Sequence, residues 1–368
     1  MRIISAKRIS KFLPVLDPQA NKYSRGGCDL VVGCDRFPGA AVLAARAANR
    51  LGSGYVRAYV PAASAAALLT VQPSTVVADS GRFAMDTHVS KAGAPCAVVV
   101  GCGFDDSEDS AARTLELLKL SEAPVVVDGG GLAALGLPEA KDVMDARAAR
   151  GLATVITPHE GDAARLVEAL RRRENAEGRE DAEGIAEGRE DAERRERLDQ
   201  QASAEYLARA LHAVVVLKGP RTFVAWEGVE TPFDIVEDMP DDVESYCGQE
   251  PESPVVTSLF YNGKPSLAKA GTGDILAGCV GALLSCGLHA PKACEAAVFL
   301  HACAANYAAY QVGEYCVTAE DVLDNLGKAF QAVDKFESAS AYCGRWPTIQ
   351  VDEEDQAGVE NALGFLYE

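Results

Sequence analysis

Three features that would point to whole classes of protein are missing from this sequence of 368 residues. No stretch of 18 apolar residues occurs, which excludes a membrane-spanning helix of ordinary length. No C-x-x-C pair occurs among the eleven cysteines, so nothing indicates a cysteine-based zinc site. An excess of positive charge is also absent, since 35 Lys and Arg stand against 54 Asp and Glu, and the formal net charge of −19 argues against nucleic acid or an anionic membrane surface as the main partner.

The cysteine count and the amino-terminal stretch together predict a location. An odd number of cysteines and no recognisable secretory signal are typical of a protein in the reducing cytoplasm. A net negative charge does not exclude small phosphorylated ligands, because local backbone N–H groups can bind anions on an acidic protein. Hydrophobic residues make up 48% of the chain, which is ample for a large core.

Short β-branched runs alternate with helical patterns along most of the chain. Each run ends in Gly, Pro or Asp, which is typical of a parallel sheet covered on both faces. We therefore predict an α/β fold with a central, mostly parallel sheet and helices on both faces. In such sheets, ligands bind at the carboxyl ends of the strands, so five strand ends are expected to line one cleft. The strand-and-turn units are found at 28–33, 54–60, 96–103, 123–131, 152–162 and 213–220.

Two segments interrupt this pattern, and a tail follows it. Residues 171–200 contain "AEGRED" twice and almost no apolar residue, which predicts a solvated insertion. Residues 229–256 are acidic and proline-containing and are expected to form a long loop between two strands. We predict a single catalytic domain over residues 1–335 and an acidic tail over 336–368.

The stretch "LAKAGTGDILAG" (267–278) carries the strongest chemical signal. Apolar and small residues follow Asp274 at helical spacing, which predicts a central, closely packed helix over 274–288. Its free N–H groups favour an anion, and the glycines let a phosphate approach the backbone. A carboxylate beside an anion site suits a base that deprotonates a hydroxyl, which then attacks the phosphate. The alternative is that Asp274 only caps the helix.

Two further strand ends carry side chains that suit ligand binding, although each is a weak signal alone. The turn "LKGPRT" (217–222) can contact an adenosine phosphate or ribose, or it can be an ordinary exit from a strand. The turn "TPHEGD" (157–162) places His159 and Asp162 near the cleft. There Asp162 can hold Mg²⁺ through water, although the same pattern also suits a helix cap.

Taken in order, the motifs resemble the ADP/ATP-dependent NAD(P)H-hydrate dehydratases of the ribokinase-like superfamily. The resemblance spans roughly residues 20 to 332, apart from the two insertions. It implies a ribokinase-like fold and a reaction in which the added hydroxyl of hydrated NADH or NADPH is phosphorylated and the phosphate is then lost. The motifs that carry it are "FPGAAVLAARAANRLGSG", "GCG", "DGGGLAAL", "TPHEGD", "KGPRT", "LAKAGTGDILAG" and "FLHACAANYAA".

The resemblance also implies roles for individual residues. Asp274 would deprotonate the hydroxyl, and the backbone around Gly271, Thr272 and Gly273 would hold the transferring phosphoryl group. ADP or ATP would be the co-substrate, with Mg²⁺ near Asp162, and the family implies a homo-oligomer, a tetramer or larger. The nucleotide would contact Lys218, Gly219, Pro220, Arg221, Thr222 and Gly273. The substrate, NADHX or NADPHX, would contact Ala40, Ala41, Gly103, His159 and Asp274.

Several departures from the family pattern leave room for a different substrate. Cys102 replaces a proline in "GCG", Asp162 replaces a glutamate in "TPHEGD", and Ala270 replaces the first glycine of the pattern GGTGD. A ribokinase-like kinase of a small alcohol, such as hydroxyethylthiazole or hydroxymethylpyrimidine, would use the same Asp274. An adenylate-binding protein without catalysis is the other alternative, but binding alone gains nothing from a carboxylate beside a phosphate.

Overall fold

A computed structural model describes residues 2–85, 94–177, 200–228, 255–261 and 263–341 of the chain. These residues form one sheet of ten strands with helices on both of its faces. The predicted α/β class and the mostly parallel sheet are therefore confirmed.

The strands of the sheet are numbered in chain order. They are β1 (Arg2–Ile3), β2 (Gly27–Val31), β3 (Tyr55–Val60), β4 (Val76–Asp79), β5 (Cys96–Val100), β6 (Val125–Val127), β7 (Thr154–Ile156), β8 (Val214–Leu217), β9 (Thr222–Glu227) and β10 (Val255–Phe260). Their order across the sheet is β1-β10-β9-β8-β7-β6-β5-β2-β3-β4. All neighbours are parallel except β9, which runs antiparallel to β8 and β10. Because β8, β7, β6, β5 and β2 are adjacent and parallel, their carboxyl ends lie along one edge.

The helices are also numbered in chain order. They are α1 (Ala6–Ser10), α2 (Pro38–Arg50), α3 (Ala62–Val71), α4 (Glu108–Leu120), α5 (Ala140–Ala149), α6 (Glu160–Glu177), α7 (Gln200–Leu211), α8 (Thr272–Ser285), α9 (Ala290–Val312) and α10 (Ala319–Ala341). Short 3₁₀ segments lie at Ser80–Met85, Gly129–Gly136, Pro265–Leu267 and Glu314–Cys316. Within the described ranges, no helix is long and apolar enough to cross a membrane.

Strand β5 shows why the sheet is covered on both faces. Successive side chains of a strand point to opposite faces. Ala97 and Val99 accordingly pack in one buried cluster, which includes side chains of α2, α8, α9 and α10. Val98 and Val100 pack in the other, which includes side chains of α4, α5, α6 and α7. An almost continuous apolar run is therefore what this position in the sheet requires.

Helix α8 lies deep in the protein because it is built from small residues. A Cβ atom on Gly278 would lie 2.4 Å from the carbonyl oxygen of Ala44 in α2, and one on Gly281 would lie 2.3 Å from Cγ2 of Val99 in β5. The backbone of α8 therefore packs directly against α2 and β5 with no room for larger side chains, and the predicted close packing of this helix is confirmed. This packing fixes where its amino-terminal turn lies.

Some predicted segments fall partly outside the described residues. Helix α6 continues through residues 171–177 of the charged insertion, and α7 begins at Gln200. The acidic loop predicted over 229–256 is flanked by β9 and β10, but its last two residues, Val255 and Val256, belong to β10. Helix α10 extends past residue 335 to Ala341. Residues 178–199, 229–254 and 342–368 lie outside the described part of the chain.

Candidate active site

The first turn of α8 forms the centre of the candidate site. Gly271 caps this helix with a left-handed backbone (φ 91°), which favours glycine, and an added Cβ would lie 2.5 Å from Leu43. The hydroxyl of Thr272 holds the turn by donating to the carbonyl oxygens of Leu267 at 2.8 Å and Lys269 at 2.9 Å. Asp274 is the third residue of the helix, so the alternative in which it is the N-cap is wrong.

The backbone amides of this turn are largely available to an anion. Among the described residues, the N–H groups of Gly271, Gly273 and Asp274 donate no hydrogen bond to the protein. The amide of Thr272 is the exception, since it donates to the carbonyl oxygen of Lys269 at 3.4 Å. Unpaired amides at the start of a buried helix attract negative charge. Of the three residues predicted to hold the phosphoryl group, Gly271 and Gly273 therefore offer free donors.

Asp128, at the end of β6, faces Asp274 across the sheet edge. It is almost fully buried. Its Oδ1 accepts hydrogen bonds from the hydroxyl of Thr157 at 2.5 Å and from Nζ of Lys218 at 2.9 Å. The thiol of Cys102 lies 3.6 Å from its Oδ2. Ligand atoms of Cys102, Asp128 and Asp274 all lie within 4.8 Å of one another, so two carboxyl groups share one small volume.

This arrangement moves the pKa of Asp274 into the neutral range. Burial and the charge of Asp128 raise the pKa of Asp274 from 3.8 to about 7, although Lys218 and a hydrogen bond from Cys102 act in the opposite direction. Burial lowers the pKa of Lys218, but Asp128 outweighs this effect, so the net shift is upward and the lysine stays protonated. Asp274 can therefore take up and release a proton near pH 7, which is what a general base needs.

A cavity of about 660 Å³ opens beside these groups. It is lined by Lys218, Gly219, Pro220, Thr222 and Gly273, five of the six residues predicted to contact the nucleotide. Arg221, the sixth, is exposed and does not line the cavity. An added Cβ on Gly273 would lie 3.2 Å from Nζ of Lys218, so the lysine approaches the turn of α8 closely.

Three titratable residues of the lining are not predicted by the sequence analysis. Lys264 and Lys269 add positive charge to the lining besides that of Lys218, in a chain whose net charge is −19. His301 of α9 is buried, and its Nε2 has no hydrogen-bond partner among the described residues. Burial and the charge of Lys218 lower the pKa of His301 to about 4, so its imidazole is neutral at pH 7. The motif "FLHACAANYAA" contains this histidine, but a single histidine on an apolar helix gives no sign of a role.

The residues predicted to contact the substrate fall into two groups. Gly103 has a left-handed backbone (φ 70°), and an added Cβ would lie 2.6 Å from Cβ of Ala40 and 2.9 Å from the carbonyl oxygen of Phe37. Both alanines are buried, Ala41 completely and Ala40 with 9% of its surface exposed, so Ala40 is the one that keeps any surface for a ligand. His159 forms the second group: unlike Gly103 and Ala40, it lines the cavity, and it pairs with Lys218 in an isolated β-bridge.

Asp162 lies in the first turn of α6, where it takes part in a reciprocal cap. Its Oδ2 accepts from the backbone N–H of His159 at 3.2 Å, and its own N–H donates to Nδ1 of His159 at 3.0 Å. Its Oδ1 accepts from Arg165 at 2.6 Å. Asp162 is therefore bonded as a helix cap, which is the alternative to the magnesium ligand. A magnesium ion there would have to compete with Arg165, whose side chain is 74% exposed and free to move away.

The fold and the site define the class of protein, and comparison with known proteins defines the family. A ribokinase-like superfamily protein from Enterococcus faecalis has a similar structure, with a TM-score of 0.62 and 16% sequence identity over 90% of this chain and 96% of that one. This chain is thus an α/β protein with a ribokinase-like fold. A family model for NAD(P)H-hydrate dehydratase matches residues 28–233 and 251–328. The chain belongs to the NAD(P)H-hydrate dehydratase family.

Curated relatives and a solved structure agree with this assignment. The bifunctional NAD(P)H-hydrate repair enzyme Nnr of Salinibacter ruber is 31% identical over 333 residues, covering 88% of this chain and 51% of that protein. The Nnr protein of Mycobacterium tuberculosis is 32% identical over 280 residues, covering 76% and 45%. The chain thus spans about half the length of these relatives.

The solved structure comes from Bacillus subtilis. It is an ADP/ATP-dependent NAD(P)H-hydrate dehydratase co-crystallised with ATP and Mg²⁺. It has a TM-score of 0.65 and 22% identity, and the match covers 90% of this chain and 98% of that one. At this identity the likeness establishes a shared fold.

Proposed function

We propose that this chain uses ADP or ATP to dehydrate hydrated NADH or NADPH and so restores the normal reduced cofactor. One observation carries the proposal: Asp274, whose pKa lies at about 7, sits in a helix turn with free amides beside a cavity of about 660 Å³. Such a group can deprotonate a hydroxyl next to a bound phosphate. Membership in the dehydratase family supports this choice of substrate.

In the proposed first step, Asp274 takes the proton of the added hydroxyl. The free amides of Gly271 and Gly273 then stabilise the negative charge on the transferring phosphoryl group, with Thr272 holding the turn in shape. Lys218 approaches Gly273 and adds a full positive charge at the same place. Catalysis in this step is therefore mainly positioning and electrostatic stabilisation, as phosphoryl transfer requires.

We place the nucleotide in the large cavity and the nicotinamide end of the substrate near Ala40 and Gly103. Cys102, which adjoins Gly103, contacts the carboxyl cluster, and Lys218 joins this cluster to the cavity. The two carboxyl groups thus lie between the two proposed ligands. Ala41, which is fully buried, would pack behind the surface that Ala40 and Gly103 offer to the substrate. His159 would contact the substrate from the lining of the cavity.

Magnesium would accompany the nucleotide and neutralise part of its phosphate charge. The cluster of Cys102, Asp128 and Asp274 does not suit this ion, because Mg²⁺ prefers oxygen ligands and Lys218 already pairs with Asp128. Asp162 fits better, provided that it acts through water, since its carboxylate is bonded within the cap. Its charge also reaches the site, since it contributes to the raised pKa of Lys218.

We also propose that residues 1–335, with the insertions 171–200 and 229–256, make up one catalytic domain followed by a tail over 336–368, although helix α10 crosses this boundary and ends at Ala341. We further propose a cytoplasmic homo-oligomer, a tetramer or larger, without nucleic acid or membrane as a partner. Sedimentation of the purified chain would test the assembly, and a monomer would contradict it.

The proposed function is tested by incubating the chain with NADHX, Mg²⁺ and either ADP or ATP while following absorbance at 340 nm. We expect recovery of absorbance with at least one nucleotide and none without nucleotide. Assays with NADPHX and with the small alcohols hydroxyethylthiazole and hydroxymethylpyrimidine belong in the same series. Phosphorylation of an alcohol without any recovery at 340 nm would favour the kinase alternative.

A further inference from the structure

The proposed reaction removes two protons from the substrate, and the phosphoryl-transfer step removes only one of them. Hydration of a ring double bond places a hydroxyl on one carbon and a hydrogen on its neighbour. Restoring the double bond must therefore remove both. Asp274 takes the hydroxyl proton in the first step and has to lose it before it can accept a second one. A second base nearby would let the elimination follow without that delay.

Asp128 has the bonding that such a base needs. Its Oδ1 is held by Thr157 at 2.5 Å and by Lys218 at 2.9 Å. These two donors fix the orientation of the carboxylate and stabilise its negative charge. Within the part of the chain that the structure describes, its Oδ2 accepts a hydrogen bond only from the weakly donating thiol of Cys102, at 3.6 Å. Oδ1 of Asp128 is thus held in place by two donors, whereas Oδ2 keeps lone pairs that can accept a proton.

Asp128 is also placed correctly relative to Asp274. Ligand atoms of the two carboxyl groups lie within 4.8 Å of each other, at the carboxyl end of β6 and in the first turn of α8. Two groups this close can reach substituents on adjacent carbons of one ring. Asp128 pairs with Lys218 whatever the reaction, but an elimination gives its second oxygen a chemical role as well. Pairs of carboxyl groups with different environments commonly divide acid and base work between them.

We propose, on the basis of the function above, that Asp128 is the base of the elimination step, whereas Asp274 is the base of the phosphoryl transfer. In the first step the hydroxyl oxygen attacks the terminal phosphorus of the nucleotide and its proton passes to Asp274. The shortened nucleotide leaves with the electron pair of the broken P–O bond. ATP then gives ADP, and ADP gives AMP.

In the second step the ring C–O bond breaks and phosphate leaves with its electron pair. Oδ2 of Asp128 takes the proton of the neighbouring carbon, and the C–H electron pair becomes the new bond of the ring C=C. One of the two protons leaves with the phosphate as monohydrogen phosphate, and the other passes to solvent. Atoms and charges therefore balance with water formally removed and one nucleotide cleaved.

The test compares the two steps in Asp128→Asn under single-turnover conditions with NADHX, Mg²⁺ and the nucleotide that the wild-type chain uses. Nucleotide cleavage is followed by chromatography, the phosphorylated hydrate by ³¹P NMR, and the restored cofactor at 340 nm. We expect cleavage within about tenfold of the wild-type rate, accumulation of the phosphorylated hydrate, and recovery at 340 nm at least ~100-fold slower. Asp274→Asn is expected to lose cleavage and recovery together.

Two results would overturn the proposal: recovery in Asp128→Asn within threefold of wild type, or equal slowing of cleavage and recovery. Asp128→Glu guards against a folding defect in the asparagine variant, because it keeps the negative charge that Lys218 needs. It should cleave nucleotide but restore the cofactor slowly, and equal slowing there also counts against Asp128. Recovery by the wild-type chain tests the proposed function separately. If the wild type restores the cofactor and both variants do so equally well, only the role of Asp128 fails.

Discussion

Replacing Asp274 with asparagine removes a group whose ionisation the folded protein opposes. Burial and the charge of Asp128 raise the pKa of Asp274 from 3.8 to about 7. Each pKa unit corresponds to ~1.4 kcal/mol. Ionised Asp274 therefore destabilises the folded chain by at most ~4 kcal/mol at pH 8. Because the site is partly open to solvent and asparagine loses the attraction of Lys218, we expect Asp274→Asn to gain ~1–3 kcal/mol in free energy of unfolding.

The sign of the effect follows from the direction of the pKa shift. In the unfolded chain Asp274 loses its proton near its ordinary pKa of 3.8, whereas in the folded chain it keeps the proton up to about pH 7. Between these values the folded state binds more protons, so Asp274 lowers stability progressively as the pH rises. The advantage of Asp274→Asn should be small at pH 4, grow up to about pH 7 and stay constant above it.

Urea unfolding at pH 4 and pH 8 measures this difference, and turnover measures the catalytic role. Asp145→Asn is a matched control, because Asp145 pairs with Lys141 on the surface and its side chain is 41% exposed. We expect the control to change stability by less than ~0.5 kcal/mol. Asp274→Asn should keep its nucleotide affinity but lose at least ~100-fold in kcat. No stability gain at pH 8 would show that the folded protein does not oppose ionisation of Asp274, and a kcat within threefold of wild type would exclude Asp274 as the base.

Three further predictions concern the same cluster and its surroundings. Wild-type kcat/KM should rise with pH around a midpoint near the pKa of Asp274, about 7, and a flat profile from about pH 6 to 8 would exclude it as the base. Lys218→Met should lower the free energy of unfolding by ~3 kcal/mol, because it leaves the carboxylate of Asp128 buried without its ion-pair partner. Calorimetry should also show at least tenfold weaker nucleotide binding, and an unchanged affinity would contradict the role of Lys218 in binding the nucleotide. Gly103→Ala should raise KM for the hydrated cofactor without changing nucleotide affinity, because the added Cβ would lie 2.6 Å from Ala40; an unchanged KM would place the substrate elsewhere.

Much of the fold could be predicted because the buried strands have a simple sequence pattern. The run 96–103 is apolar on both faces and ends in glycine, and the structure places β5 there with both faces covered. The small residues of α8 predicted its central position, because they let its neighbours pack closely against it on more than one side. The direction of β9 (residues 222–227) could not be predicted, because nothing in its side chains indicates that it runs antiparallel to β8.

The site was harder to predict, because its key contacts join distant parts of the chain. The sequence separated Lys218 from Asp128 by 90 residues, and only the sheet order brings them to 2.9 Å. A signal for Asp128 was present, since it directly follows a buried strand at the edge where ligands bind. The bonding of Asp162 could not be decided either, because a cap and a metal ligand use the same residue types at the same spacing.

We propose that nucleotide cleavage by this chain is coupled to restoration of the reduced cofactor. The most direct measurement mixes the wild-type chain with NADHX, Mg²⁺ and ADP or ATP, and counts nucleotide cleaved against absorbance regained at 340 nm. We expect one nucleotide to be cleaved for each NADH restored. Cleavage without any recovery at 340 nm, or no reaction with either nucleotide, would contradict it.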